Sequence, residues 1–149
     1  MADVGSDVRS PNKRPSVLFV CTGNTCRSVV AEWLARRRFG DSVRVASAGI
    51  RPQRPEDARD AIDTLRQLFN LDASGHVPRA VANVDIESFD IVVSLDPEVS
   101  KVLKTRELRS LLKYHVKDPW GDVEEYPRCA VKIMKQLTTI ESVLKRRDV

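Results

Sequence analysis

The feature that most constrains this chain is the unbroken apolar run Val17-Leu18-Phe19-Val20-Cys21, which passes directly into Thr22-Gly23-Asn24-Thr25-Cys26-Arg27-Ser28. A strand that alternates apolar and polar residues can leave one face in water. A continuous run cannot, so this one predicts a strand covered on both faces, as in a parallel sheet. Short β-branched runs then alternate with longer amphipathic segments. Helices are expected over residues 28–39, 56–69, 97–103, 107–112 and 125–145. The first has Val30, Trp33 and Leu34 on one face, Arg36, Arg37 and Arg38 in its last turn, and Gly40 as terminator. The second spaces Ala58, Ile62, Leu65 and Phe69 helically, and the last carries the stripe Cys129, Ile133, Leu137, Ile140 and Leu144. Further strands are expected at 43–46, closed by Ser47-Ala48-Gly49, at 91–93 and at 114–116. The alternation predicts a single three-layer α/β domain, a four-stranded parallel sheet with helices on both faces.

Composition narrows the classes. A chain of 149 residues suits one domain, expected over 16–149, after a flexible leader at 1–15 that lacks apolar periodicity. No apolar run approaches the roughly 18 residues of a membrane span, and the polar start lacks the apolar core of a secretory signal, so a cytoplasmic protein without membrane attachment is expected. Three cysteines are too few for a disulfide-stapled scaffold. The net charge of +4 permits an anionic substrate. The basic clusters Arg36-Arg37-Arg38 and Lys145-Arg146-Arg147 lie at helix C-termini without interleaved aromatics, which argues against a nucleic-acid partner.

In parallel sheets ligands bind beyond the carboxyl ends of the strands, after Val20, Val93 and Val116. The segment after the first strand offers consecutive N–H groups and a helix N-terminus, a combination that binds phosphate. A cysteine on its floor, Cys21, would have its thiolate stabilised by the same groups. Arg27 could fork two donors onto phosphate oxygens, Ser28 could donate to the thiolate, and Gly23 and Asn24 tolerate the dihedrals of a tight cradle. The plain alternative is a small core cysteine at a strand end. A zinc site at Cys21 and Cys26 would need two further ligands, and His76, His115 and Cys129 are scattered singly.

The run from Val17 to Ser28, followed by Ala31-Glu32, resembles the signature of the low-molecular-weight protein tyrosine phosphatases, and the resemblance continues along nearly the whole chain. Ser47-Ala48-Gly49, Gly75-His76 with Arg79, Leu95-Asp96 and Asp118-Pro119-Trp120-Gly121 stand where that family has its later motifs. The resemblance implies Cys21 as the nucleophile, forming a cysteinyl-phosphate. Arg27 and the amides of Thr22, Gly23, Asn24, Thr25, Cys26 and Ser28 would hold the phosphoryl oxygens. Asp118 would be the general acid and then the general base, with no metal or other cofactor. It also implies that Asn24, Ser28, Ser47 and His76 brace the loop, and that Cys26 can close a reversible disulfide with Cys21. The implied partner is a phosphorylated protein, met by a monomer or weak dimer. Cys129 has no chemical role.

Departures from the family bear on the substrate. Val29 replaces the usual proline. Residues 50–55 hold no aromatic to wall a phosphotyrosine slot, leaving Trp120 as one wall and Arg51 and Arg54 as an expected basic rim. Thr25 stands where isoleucine is common, and Thr-Gly-Asn-Thr resembles the protein-arginine phosphatase branch. Phosphotyrosine is therefore the first expected substrate and phosphoarginine the second. A thioredoxin-coupled arsenate reductase is remoter, because its cysteine relay would fall in 94–108, which contains none. A non-catalytic phosphate-binding module is the last alternative, opposed by the joint presence of Cys21, Arg27 and Asp118.

Overall fold

The structure, a computed structural model, describes residues 14–147, so most of the expected leader lies outside the described residues. Four strands, β1 (Ser16–Cys21), β2 (Arg44–Gly49), β3 (Ile91–Ser94) and β4 (Leu111–Lys113), form one sheet in the order β2-β1-β3-β4. Every pairing is parallel. The helices are α1 (Arg27–Phe39), α2 (Arg59–Phe69), α3 (Pro97–Leu103) and α4 (Glu125–Arg147). The pleat of β1 explains why its sequence is apolar throughout. Val17, Phe19 and Cys21 join the core under α1, α2 and α4, while Leu18 and Val20 join a smaller core with Val99 and Leu103 of α3 and with Val81 and Ile86. The expected stripe of α4 is buried along its whole length.

Three boundaries differ from expectation, each for a tertiary reason. The fourth strand is residues 111–113, not 114–116, and no helix occupies 107–112. Leu111 and Leu112 pair with Val92 and Val93 instead. The chain stays extended beyond this pairing, Tyr114 N donating to Ser94 O at 2.9 Å and Val116 N to Leu95 O at 3.0 Å. The second strand runs on through Ser47-Ala48-Gly49, because Ala48 and Gly49 find partners in Val20 and Cys21. The expected helix 56–69 divides at Ala58, a 3-10 turn (Pro55–Ala58) preceding α2.

Chain order and space diverge at β1, since β2 lies on one side of it and β3 on the other. Loops leaving β1 and β3 therefore part at the carboxyl edge of the sheet and open a crevice there. Segments after β1, β2, β3 and β4 all reach that edge.

Candidate active site

Residues 22–26 form a loop between β1 and α1, and its hydrogen bonds are sorted by direction. Four of its five carbonyls, and that of Cys21 just before it, are taken: Ile50 N donates to Cys21 O (3.2 Å), Arg51 N to Thr22 O (2.8 Å), Gln53 N to Gly23 O (3.0 Å) and Val30 N to Cys26 O (3.1 Å). His76 Nε2 meets Asn24 O at 2.8 Å. By contrast, no backbone N–H from Thr22 to Ser28 donates to another described residue, and α1 has no side-chain cap. A loop with nearly all its acceptors satisfied and its donors free is arranged for an anion.

The loop needs two unusual backbone features. Asn24 sits in the left-handed region at φ 57°. A side chain at Gly49 would come within 2.7 Å of Thr22 O and 2.9 Å of Asn24 N, so the sheet approaches the loop as only glycine allows. Gly23, expected to supply unusual dihedrals, does not take a positive φ. Its lack of a side chain instead admits Gln53, whose Cδ and Oε1 would lie 2.7 and 2.6 Å from an added Cβ.

Beneath the loop lies a buried polar network. Asn24 Nδ2 donates to Ser28 Oγ (2.8 Å) and Ser47 Oγ (2.9 Å), and its Oδ1 accepts from Arg79 N (3.0 Å). Ser47 Oγ donates to Glu32 Oε1, and Glu32 is 4.0 Å from His76 Nδ1. Asn24, Ser28, Ser47 and His76 are thus brought together, with Glu32 as an additional member. Cys21 Sγ lies 3.0 Å from Ser28 Oγ. Since Ser28 already accepts from Asn24, its own hydroxyl proton is free to point at sulfur, an arrangement that supports a thiolate.

Arg27 is almost wholly buried and committed on one edge only. Its Nη1 donates to Asp96 Oδ2 (2.7 Å), Val116 O (3.1 Å) and Leu95 O (3.4 Å). Its Nε has no partner, and Nη2 lies 3.6 Å from Asp118 Oδ2. The Nε–Nη2 edge is the one that forks onto two oxygens, so the loop's unsatisfied buried donor belongs to the group expected to clamp phosphate. Burial works against the guanidinium charge. The Asp96 hydrogen bond and the nearby Cys21, Asp118 and Asp96 charges outweigh it, holding the group charged. Asp96 Oδ1 also caps α3 by accepting from Glu98 N at 2.8 Å, one carboxylate fixing both the helix and the arginine. The sequence carried the cap signal, Asp followed by Pro, but no sign of the arginine contact.

The crevice is a cavity of about 80 Å³ lined by Cys21, Thr22, Gly23, Thr25, Cys26, Arg27, Gln53, Asp118 and Trp120. Asn24 and Ser28 lie behind it and hold it from outside. Asp118 is half-exposed at the mouth, its Oδ1 fixed by Trp120 N (3.0 Å). The expected basic rim is absent. Arg51 forms two bonds with Glu98 (2.9 and 2.8 Å), Arg54 pairs with Asp57 and Glu56, and neither arginine lines the cavity. The backbone of Ile50, Arg51 and Gln53 donates to residues 21–23, which leaves the Arg51 side chain facing Glu98, while Arg54 is turned to Asp57. Gln53 lines the cavity in their stead.

Cys26 is buried, with its sulfur 3.1 Å from Tyr126 Oη, and burial pushes its thiol up to about 11. Burial likewise pushes Cys129, in the core under α4, up to about 12. His115 meets Ser100, His76 meets the loop carbonyl, and the described residues assemble no group of three or more candidate metal ligands.

The sequence profile of the low molecular weight phosphotyrosine protein phosphatases matches residues 16–148, nearly everything described above. The chain belongs to this family of cysteine-dependent phosphatases. A low molecular weight protein tyrosine phosphatase from T. tengcongensis is similar in structure, with a TM-score of 0.75, 26% identity, and coverage of 86% of this chain and 98% of that one. The YwlE arginine phosphatase is similar with a TM-score of 0.71 and 25% identity, over 87% of this chain and 95% of that one. Among curated relatives, an arsenate reductase of Staphylococcus xylosus is 33% identical over 82 residues, 55% of this chain. The match spans 60% of that relative's length. No helix among the described residues of this family member is long and apolar enough to cross a membrane.

Proposed function

We propose that the chain is a protein phosphatase working through a cysteinyl-phosphate, with Cys21 as nucleophile, Arg27 as phosphate clamp and Asp118 as general acid and base. One observation carries this reading. The free N–H groups of residues 22–28 and the unpartnered Nε of Arg27 surround a cavity whose floor is Cys21. These donors are fixed before substrate arrives, so they stabilise the charge developing on the equatorial oxygens without reorganising.

In the first step the Cys21 S–P bond forms while the bond to the leaving atom breaks, and that atom takes the Asp118 proton. In the second, Asp118 removes a proton from water, the new O–P bond forms, the S–P bond breaks, and inorganic phosphate leaves. Phosphotyrosine is the first substrate reading, supported by Trp120 at the mouth as one wall for a flat ring. Phosphoarginine is the second, supported by the Thr25 hydroxyl in the cavity lining. Arsenate reduction ranks third, since residues 94–108 offer no cysteine for a relay.

Release of p-nitrophenolate from p-nitrophenyl phosphate tests the reading. Wild type should turn over and Cys21→Ser should not. Asp118→Asn should slow aryl phosphates with poor leaving groups about 100-fold or more, and those with good leaving groups far less. No turnover by wild type, or full activity in Cys21→Ser, would overturn the proposal.

A further inference from the structure

The cavity wall facing substrate is formed by a residue that no motif marked. Gln53 is held by its backbone, its N–H donating to Gly23 O at 3.0 Å, and its side chain lies across Gly23, which has no Cβ to exclude it. Its carbonyl oxygen accepts the hydroxyl proton of Thr25. A threonine hydroxyl has one proton and two lone pairs. With the proton committed to Gln53, Thr25 Oγ1 can only accept from whatever occupies the cavity. Among the described residues Gln53 Nε2 donates to nothing.

We infer that Gln53 selects the leaving group: by turning Thr25 into an obligate acceptor, it confers on the site the capacity to hold a phosphorylated guanidine alongside an aryl phosphate. This rests on the phosphatase reading and names a substrate class within it. The ester oxygen of an aryl phosphate has no hydrogen to offer Thr25, whereas the N–H groups of a phosphoguanidine do, and the half-exposed carboxylate of Asp118 stands across the same mouth. The chemistry balances as for the ester. The S–P bond to Cys21 forms, the P–N bond breaks, its electron pair stays on nitrogen, and that nitrogen takes the Asp118 proton to leave as a guanidinium. Gln53 touches no reacting atom and acts through Thr25, as a positioning residue.

The test reads a ratio, kcat/KM on phosphoarginine divided by kcat/KM on p-nitrophenyl phosphate, in wild type, Gln53→Leu and Gln53→Glu. Leucine removes the acceptor and frees the Thr25 proton to face the substrate, so the ratio should fall about tenfold, the worth of one good hydrogen bond. Glutamate presents only acceptors, keeps the Thr25 bond, and should restore the ratio to wild type or above. A purely structural role for Gln53 would move both substrates together and leave the ratio flat. A flat ratio in Gln53→Leu overturns the inference, as does a ratio in Gln53→Glu as low as in Gln53→Leu. Wild-type turnover of p-nitrophenyl phosphate with none of phosphoarginine overturns the inference and leaves the phosphatase reading standing. Turnover of neither substrate removes the reading itself.

Discussion

The floor and the rim of the candidate active site are both lined with polar side chains, yet they are built on opposite terms. On the floor, Asn24, Ser28, Ser47, Glu32 and Arg27 are nearly inaccessible to water, and nearly every polar atom has a protein partner except those facing the cavity. At the rim, Arg51, Arg54, Glu98 and Trp120 stand in solvent, and their ion pairs compete with water. Buried polar groups lose a great deal when one partner is removed, and exposed pairs lose little. The floor should therefore tolerate almost no change, while the rim is free to vary with substrate.

Among substitutions that set floor against rim, the largest effect should come from Arg27→Lys. Lysine keeps the charge and can still reach Asp96, but it offers no fork to replace the Nε–Nη2 edge. We expect kcat on p-nitrophenyl phosphate to fall about 100- to 1000-fold, the range for losing one preorganised donor to a developing charge. A loss under tenfold in steady-state kinetics would mean that the backbone amides alone carry the anion, and the floor would be less specialised than its burial indicates.

Asn24→Gly separates the network from the backbone. Glycine accepts φ 57° without strain, so the variant removes the side-chain bonds to Ser28, Ser47 and Arg79 N and little else. At about 1 kcal/mol for each of the bonds, the loss is roughly 3 kcal/mol, or about 10 °C in Tm for a domain of this size. Calorimetry checks it. A Tm within about 2 °C of wild type would show that the network is replaceable by water and the floor resembles the rim.

How far the sequence revealed each region follows from the same contrast. The floor is largely local. Cys21, Asn24, Arg27 and Ser28 lie within one strand–loop–helix unit, and a continuous apolar run followed by a glycine loop and Arg-Ser points to them before any folding is known. Ser47 and His76 came from the resemblance, because nothing near either residue says that Asn24 will lie beside it. The rim is made by a backbone direction that no side-chain pattern encodes. Residues 50–55 read equally well as two arginines facing substrate or facing away. Backbone bonds from Ile50, Arg51 and Gln53 to residues 21–23 and ion pairs to Glu98, Glu56 and Asp57 turn both away. Gln53 carries no family motif, and nothing in its local sequence marks it. The misplaced fourth strand has a similar origin. Leu111 and Leu112 suit a helix or a strand, and the choice is made by hydrogen bonds to β3 across the sheet.

The smallest effect should come from Arg51→Ala, and its smallness is what the comparison demands. Arg51 lies in the mouth segment and binds Glu98 through two hydrogen bonds, which by geometry alone would rank among the strongest pairs in the molecule. Its side chain is 61% exposed and that of Glu98 51%, so water and salt screen the pair, and two long side chains lose freedom to form it. The loop does not depend on it, because the Arg51 backbone N–H stays bonded to Thr22 O at 2.8 Å whatever the side chain is. Tm should be unchanged within the error of calorimetry. The kcat/KM for p-nitrophenyl phosphate should stay within about twofold in low and high salt, the side chain lying outside the cavity. A loss of tenfold or more at low salt that vanishes at high salt would place the arginine's field at the mouth after all, and the distinction between a committed floor and a neutralised rim would fail at that residue.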